Sequence, residues 1–240
     1  MPKAFLIDTT RCTACRGCQV ACKEWHNLPA VETKQRGTHQ NPPDLNPFNY
    51  KLVRFSEHLI DGVVKWYFFP DQCRHCLAPP CVQVAYDYAP GAMIQDDETG
   101  AVIYTDQTKR LSAEEFEEIR ESCPYDIPRR DSATGLVSKC DMCIDRVKNN
   151  LKPMCVTTCA MGAMEFGERE DMLRLAAERL AKVKKEFPRA SLANPDDVNV
   201  IYLLADDPER LHKHAVASGL GKMSRKALFA RLTRPFAKLG

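Results

Sequence analysis

Cys12, Cys15, Cys18 and Cys22 stand in the run C-x2-C-x2-C-x3-C, the ferredoxin-type spacing for [4Fe–4S] clusters. Few features restrict a fold more, because several side chains must converge on one inorganic cube. Eight more cysteines follow in related spacings, making twelve in 240 residues. Disulfides are the competing arithmetic. However, close C-x2-C pairs suit metal better than bridges, and a chain of this length can bury a core without staples.

The cysteines form four groups: Cys12, Cys15, Cys18 and Cys22; Cys73, Cys76 and Cys81; Cys123 alone; and Cys140, Cys143, Cys155 and Cys159. In two-cluster ferredoxins the fourth cysteine of a run crosses to the neighbouring cluster. Pairing the first group with the fourth, and the second with the third, uses every cysteine. Cluster A is then expected on Cys12, Cys15, Cys18 and Cys159. Cluster B is expected on Cys22, Cys140, Cys143 and Cys155. Cluster C is expected on Cys73, Cys76, Cys81 and Cys123.

The missing ligands also carry information. Completing the second and third groups would need cysteines at 85, 113, 116 and 119, where the chain has Ala85, Ala113, Phe116 and Ile119. Together these would be the ligands of one further cluster. A fourth cluster is therefore expected to be absent, its space filled by apolar side chains. A gap in mid-wire would stop electron flow, so cluster C is expected at an end, close to an acceptor. The competing class is a structural zinc-binding interaction protein. Zinc ribbons, however, use paired C-x2-C knuckles rather than three spaced cysteines and a fourth at x3.

Between the cysteines, Lys3–Asp8 reads as a strand and Gln19–Trp25 as a short helix. Residues 28–49, rich in Pro and Asn, read as an irregular insertion. Tyr50–Phe55 and Val63–Phe69 read as strands around an Asp61-Gly62 turn. Ala92–Gln95 and Ala101–Thr105 form an expected hairpin. Ser112 with Glu115 is a capping-box pattern opening a helix. Helices are also expected at Asp141–Asn149 and Arg169–Phe187, and a buried strand at Val198–Ala205. Gly91-Ala92-Met93 after Cys81 echoes Gly162-Ala163-Met164 after Cys159, a weak internal repeat. The expected fold is α+β: two fused ferredoxin-like units with an insertion and a helical C-terminal extension. Residues 1–168 would be the tandem cluster-binding region. Residues 169–240 would be an α/β extension packing on the core or on a partner subunit.

At RCTACRGCQVACKEW, QNPPDLNP, DQCRHCLAPPC, SCPYDIPR and KCDMCIDRV the chain resembles iron–sulfur subunits of molybdopterin oxidoreductases. More closely, it is similar to the small (beta) subunits of formate dehydrogenases, over roughly residues 3–212. Other molybdopterin enzymes, such as nitrate, polysulfide or sulfoxide reductases, are the alternative within that class. Four clusters are usual in such subunits, so three would be a departure. Three fit the soluble two-subunit enzymes of sulfate-reducing bacteria. Lys23 after Cys22 and Ala160 after Cys159 replace a proline common in ferredoxins.

The resemblance implies a non-catalytic electron-transfer subunit carrying three [4Fe–4S] clusters. Its partner would be a catalytic large subunit with a tungsten or molybdenum bis-pterin cofactor, oxidising formate or reducing carbon dioxide. The acceptor would be soluble, such as a multihaem cytochrome c.

The formal charge of +2 gives no field for nucleic acid. No apolar run is long enough for a transmembrane segment, and MPKAFLID lacks a signal-peptide core. Taken alone, that start reads as cytoplasmic. The resemblance implies periplasmic localisation by co-export with the large subunit. Arg16, Lys23, Arg74, Lys139 and Arg146 lie beside cysteines, where cations stabilise a reduced cluster. As readily, they are ordinary surface charges. His75 is expected to pack, or to bond a cluster sulfur. The 28–49 insertion is a candidate contact with the large subunit. Ser224–Leu239 reads as a basic amphipathic helix that docks on a partner or stays solvated.

Overall fold

The computed structural model describes residues 2–217, so Ser224–Leu239 lies outside the described residues. The chain is α+β, and its elements run in order as follows. First come β1 (Lys3–Asp8), α1 (Gly17–Trp25), β2 (Leu52–Ile60), β3 (Val63–Asp71) and α2 (Pro80–Tyr88). Next are β4 (Met93–Gln95), β5 (Val102–Tyr104), α3 (Ala113–Ser122), β6 (Arg129–Arg130) and β7 (Val137–Ser138). Then follow α4 (Ile144–Lys148), α5 (Met154–Thr157), β8 (Met164–Glu168) and α6 (Arg169–Val183). The last are β9 (Ser191–Ala193), β10 (Val200–Leu204) and α7 (Pro208–Leu211).

A four-stranded sheet in the order β8-β1-β10-β9 is the platform. β1 and β10 pair in parallel, Phe5 opposite Val200 and Leu6 opposite Ile201. Both strands are almost wholly buried, as expected for apolar strands covered on two faces. The two-residue period sorts their side chains. Ala4, Leu6, Ile201 and Leu203 pack under Met172 and Ala176 of α6. Phe5, Ile7, Val200, Tyr202 and Leu204 face the other way, against Val53, Met142, Cys18 and Cys155. One face of the sheet thus binds a helix and the other supports the cysteine loops. The boundary at 168 is the β8–α6 junction, yet β9 and β10 from beyond it complete the sheet begun by β1.

β2 and β3 form a hairpin whose Asp61-Gly62 turn has φ of 51° and 75°, the left-handed pair that matches strand twist. Pairing continues to Ile60, past the expected end at Phe55, because the ladder needs no burial to persist. The hairpin's base is buried at Leu52, Val53 and Phe69, whereas Leu59, Val63, Val64 and Trp66 near its tip are exposed. The capping box is present: Ser112 Oγ accepts from the Glu115 amide at 3.1 Å, and the Glu115 carboxylate accepts from the Ser112 amide at 2.7 Å.

Three helices depart from expectation. α2 follows Cys76 where none was expected; Pro80 at its first position supplies the fixed φ that starts it. α4 begins only at Ile144, because Met142 and Cys143 have φ of 71° and 50° and cannot extend it backwards. α6 stops at Val183, four residues short of Phe187, and Pro188 disfavours helical geometry at the residue before it.

Candidate metal centres

Three cysteine loops share one backbone device. In each, the second residue after the first cysteine is left-handed: Ala14 (φ 54°), His75 (φ 47°) and Met142 (φ 71°). Such a kink turns successive amides into a concave cradle suited to anionic sulfur. The His75 amide donates to Cys73 Sγ at 3.4 Å, and the Ala14 amide donates to Cys12 in the same way. Gly17 opens α1 beside this cradle, where a Cβ would stand 3.1 Å from Thr158 Cγ2.

The cysteines gather as three foursomes. Cys12, Cys15, Cys18 and Cys159 line one cavity with Arg16, Val53, Ala163 and Met164. Cys73, Cys76, Cys81 and Cys123 line a second, closed by Val102, Tyr104, Tyr125, Ile127, Arg74 and Lys139. Cys22 lies within electrostatic reach of Cys140, Cys155 and Cys143, which completes the third set. Burial raises most of these thiols: Cys18, Cys123 and Cys143 to about 12, and Cys22, Cys76 and Cys140 well above their ordinary value. Neighbouring thiolates within each set push in the same direction. A soft cation is what such a donor set lacks, since metal binding displaces the protons that burial retains.

The sets are arranged in a row. Cys18 and Cys155 share one apolar cluster, which brings the first set against the third. Cys140, Cys73, Cys76 and Cys123 share another, which brings the third set against the second. Among the described residues no apolar cluster joins Cys12, Cys15, Cys18 or Cys159 to the Cys73 set. Past Cys81 lies a third cluster containing Ala85, Phe116 and Ile119 on α2 and α3. These are three of the four positions where further ligands would fall, and apolar side chains fill the space; Ala113 is exposed.

A 4Fe-4S dicluster domain model matches residues 64–169. The beta subunit of formate dehydrogenase 2 (cytochrome c-553) of Nitratidesulfovibrio vulgaris is 60% identical, over 90% of this chain and 99% of that protein. The chain belongs to the formate dehydrogenase beta subunits. The beta subunit of the Megalodesulfovibrio gigas enzyme is 54% identical over its whole length and 90% of this chain. The iron–sulfur subunit of the nitrate-inducible formate dehydrogenase of Escherichia coli is 36% identical, over 87% of this chain and 71% of that protein. This beta subunit is accordingly an iron–sulfur, electron-transfer component of an oxidoreductase whose catalytic chemistry belongs to an alpha partner. Among the described residues no helix is long and apolar enough to cross a membrane.

The cations singled out beside cysteines separate once folded. Arg16 lines the first cavity but also donates to His39 O at 3.0 Å. Lys23 donates to Phe48 O, and Arg146 stacks on Trp25 at 4.4 Å and donates to Lys152 O. Two of these bonds, with Gln19 donating to Asn41 O, tie the 28–49 insertion down over α1. Arg74 is buried beside the Cys73 set but paired with Asp71 at 2.8 Å. Lys139 is buried at the same cavity, its ammonium 4.5 Å from the Tyr104 ring centre. The His75 ring is fully buried and accepts the Val102 amide on Nδ1 at 2.9 Å, so its backbone, not its ring, reaches Cys73.

Three polar groups were not legible as cluster neighbours. Tyr104 hydrogen-bonds Cys81, which lowers that thiol against its burial. His26 Nε2 lies 3.6 Å from Cys143 Sγ and 3.4 Å from Asp141 Oδ1. Lys51 is buried, with its ammonium on Gln72, although it is distant from every cysteine in sequence. Spacing could not find it, because a lysine just before a strand normally points to solvent.

Proposed function

We propose that this beta subunit holds three [4Fe–4S] clusters and conducts electrons along them between the formate-oxidising alpha subunit and a soluble c-type cytochrome. The ligands are Cys12, Cys15, Cys18 and Cys159 for cluster A; Cys22, Cys140, Cys143 and Cys155 for B; and Cys73, Cys76, Cys81 and Cys123 for C. The carrying observation is the row of three foursomes, with the B cysteines packed against both others. When bound, the clusters supply reversible one-electron chemistry.

The chain's own residues set the conditions. Twelve thiolates hold the metal, and apolar walls such as Val53, Met142, Val102 and Ile127 exclude water. The amides of Ala14 and His75 and the hydroxyl of Tyr104 donate to cysteine sulfur, which favours the more negative, reduced state. Cluster A is the proposed entry, because Cys15 is exposed and Met161 beside it is half exposed. Cluster C is the proposed exit, because the row ends there in the Ala85–Phe116–Ile119 plug. The name of the Nitratidesulfovibrio vulgaris relative supports a cytochrome c acceptor.

Adding formate to the anaerobic native complex is expected to bleach the broad visible absorbance of the clusters. Iron beyond that of the alpha subunit should come to about twelve per chain, at about four per cluster. No bleaching by formate, with zinc in place of iron, would overturn the proposal.

We further propose a periplasmic site of action, reached by co-export with the alpha subunit; the support is the family likeness. Cell fractionation should recover the complex with periplasmic markers. Recovery with cytoplasmic markers alone would reverse this.

A further inference from the structure

Lys51 is 2% exposed, and Gln72, the one hydrogen-bond acceptor it has among the described residues, is itself fully buried. An ammonium carries three donors, so the others find no acceptor among the described residues. Among the described residues no carboxylate forms an ion pair with Lys51, whereas buried Arg74 and half-buried Arg54 both pair with Asp71. A buried, unpaired cation is among the costliest arrangements in a protein interior. Its countercharge must therefore come from something other than an acid.

The surroundings identify that countercharge. Lys51 immediately precedes β2; the next residue, Leu52, packs with Cys140 and Cys73, and Val53 lines the cluster A cavity and packs with Cys18 and Cys155. Burial by itself would push the Lys51 ammonium toward the neutral amine, but the charges of Cys155 and Cys18, followed by Tyr202 and Cys140, more than offset it.

We propose that Lys51 is the shared counter-cation of clusters A and B, stabilising both in their reduced forms. This rests on the reading that these two cysteine sets hold clusters. Each electron released by formate oxidation in the alpha subunit adds one negative charge to the cluster that takes it, with no proton bound. One buried ammonium between two clusters raises both potentials together. A shift common to both would leave the difference between them unchanged. Cluster C has a buried lysine of its own, Lys139, which lines its cavity.

The test is an EPR-monitored redox titration of the native complex carrying Lys51→Met, Lys51→Gln or Lys51→Arg. With iron content intact, the neutral variants should shift the reduction equilibrium of two of the chain's three clusters at least about tenfold toward the oxidised form. For a one-electron couple that is about 59 mV. The third midpoint should move less, and Lys51→Arg should stay near wild type. Full iron and unmoved midpoints in either neutral variant would overturn the proposal. If the neutral variants lose the signals of two clusters while Lys51→Arg keeps all three, the charge is needed even for assembly, and the proposal stands. If Lys51→Arg loses the same two signals, side-chain shape rather than charge is at work, and the proposal fails. A wild-type complex lacking the three clusters would instead overturn the reading on which this rests.

Discussion

Cys155→Ala is expected to cut the electron path in its middle. Cys155 is buried on α5, in the apolar cluster that also holds Cys18 of the first set. Loss of one thiolate from four should cost the chain about one third of its iron. Because metal binding also stabilises the folded loops, the variant should unfold more readily as well. Formate should still reduce cluster A. Cluster C should be reduced by dithionite but no longer by formate, and cytochrome reduction should fall to background. EPR of freeze-quenched samples separates these species. Formate-driven reduction of C at the wild-type rate would show that B does not lie between A and C.

Asp71→Ala is expected to give the largest loss of stability among substitutions that leave every cysteine in place. Asp71 is fully buried at the end of β3, where it accepts from Arg74 at 2.8 Å and from Arg54 at 2.7 Å. The Arg74 guanidinium is enclosed by Phe69, Tyr125 and Tyr202, 4.7–5.1 Å from their ring centres. Removing the carboxylate leaves that guanidinium buried without its partner, at a cost of about 3–5 kcal/mol. That is a large fraction of a typical domain's stability. Arg74 also follows Cys73, so cluster C should become labile first. Denaturant midpoints of the complex, with iron release recorded alongside, would measure both effects. A change under about 1 kcal/mol would mean that the network is idle.

The same pair predicts a pH dependence. Burial would raise the Asp71 carboxyl, but Arg74 and Arg54 more than offset it and hold it below the ordinary range. A lowered carboxyl contributes stability that is fully present above the unfolded value of about 3.9. That contribution is lost as pH falls through the lower folded value. Acid unfolding of the wild type should therefore show a step in strongly acidic solution that Asp71→Ala lacks.

Much of the grouping of the cysteines was legible because their spacing is local in sequence. The spacing of Cys12, Cys15 and Cys18 restricts them to one loop, and the distances from Cys140 to Cys159 do the same for the other half. The strand at Lys3–Asp8, the Ser112 capping box and the Asp61-Gly62 turn are also short-range, so they too matched. α2 was missed because its run PCVQVAYDY has a helical face only once Val84 and Ala85 meet Phe116 and Ile119 of α3. The absent fourth ligand set was readable as missing cysteines, but that Ala85, Phe116 and Ile119 share one packed cluster was not.

By itself the sequence determined which residue types can hold iron, how many sets they make and which local turns present them. Tertiary structure alone decided the order of the sets in space and the surroundings of each. The parallel pairing of β1 with β10 joins the two ends of the described chain and creates the buried face on which the cysteine loops meet. That pairing, with the β2–β3 hairpin, also draws Lys51 out of solvent. Ligand spacing acts over a few bonds of chain, whereas electrostatic and apolar contacts act through space, and no local pattern records which distant segments they join.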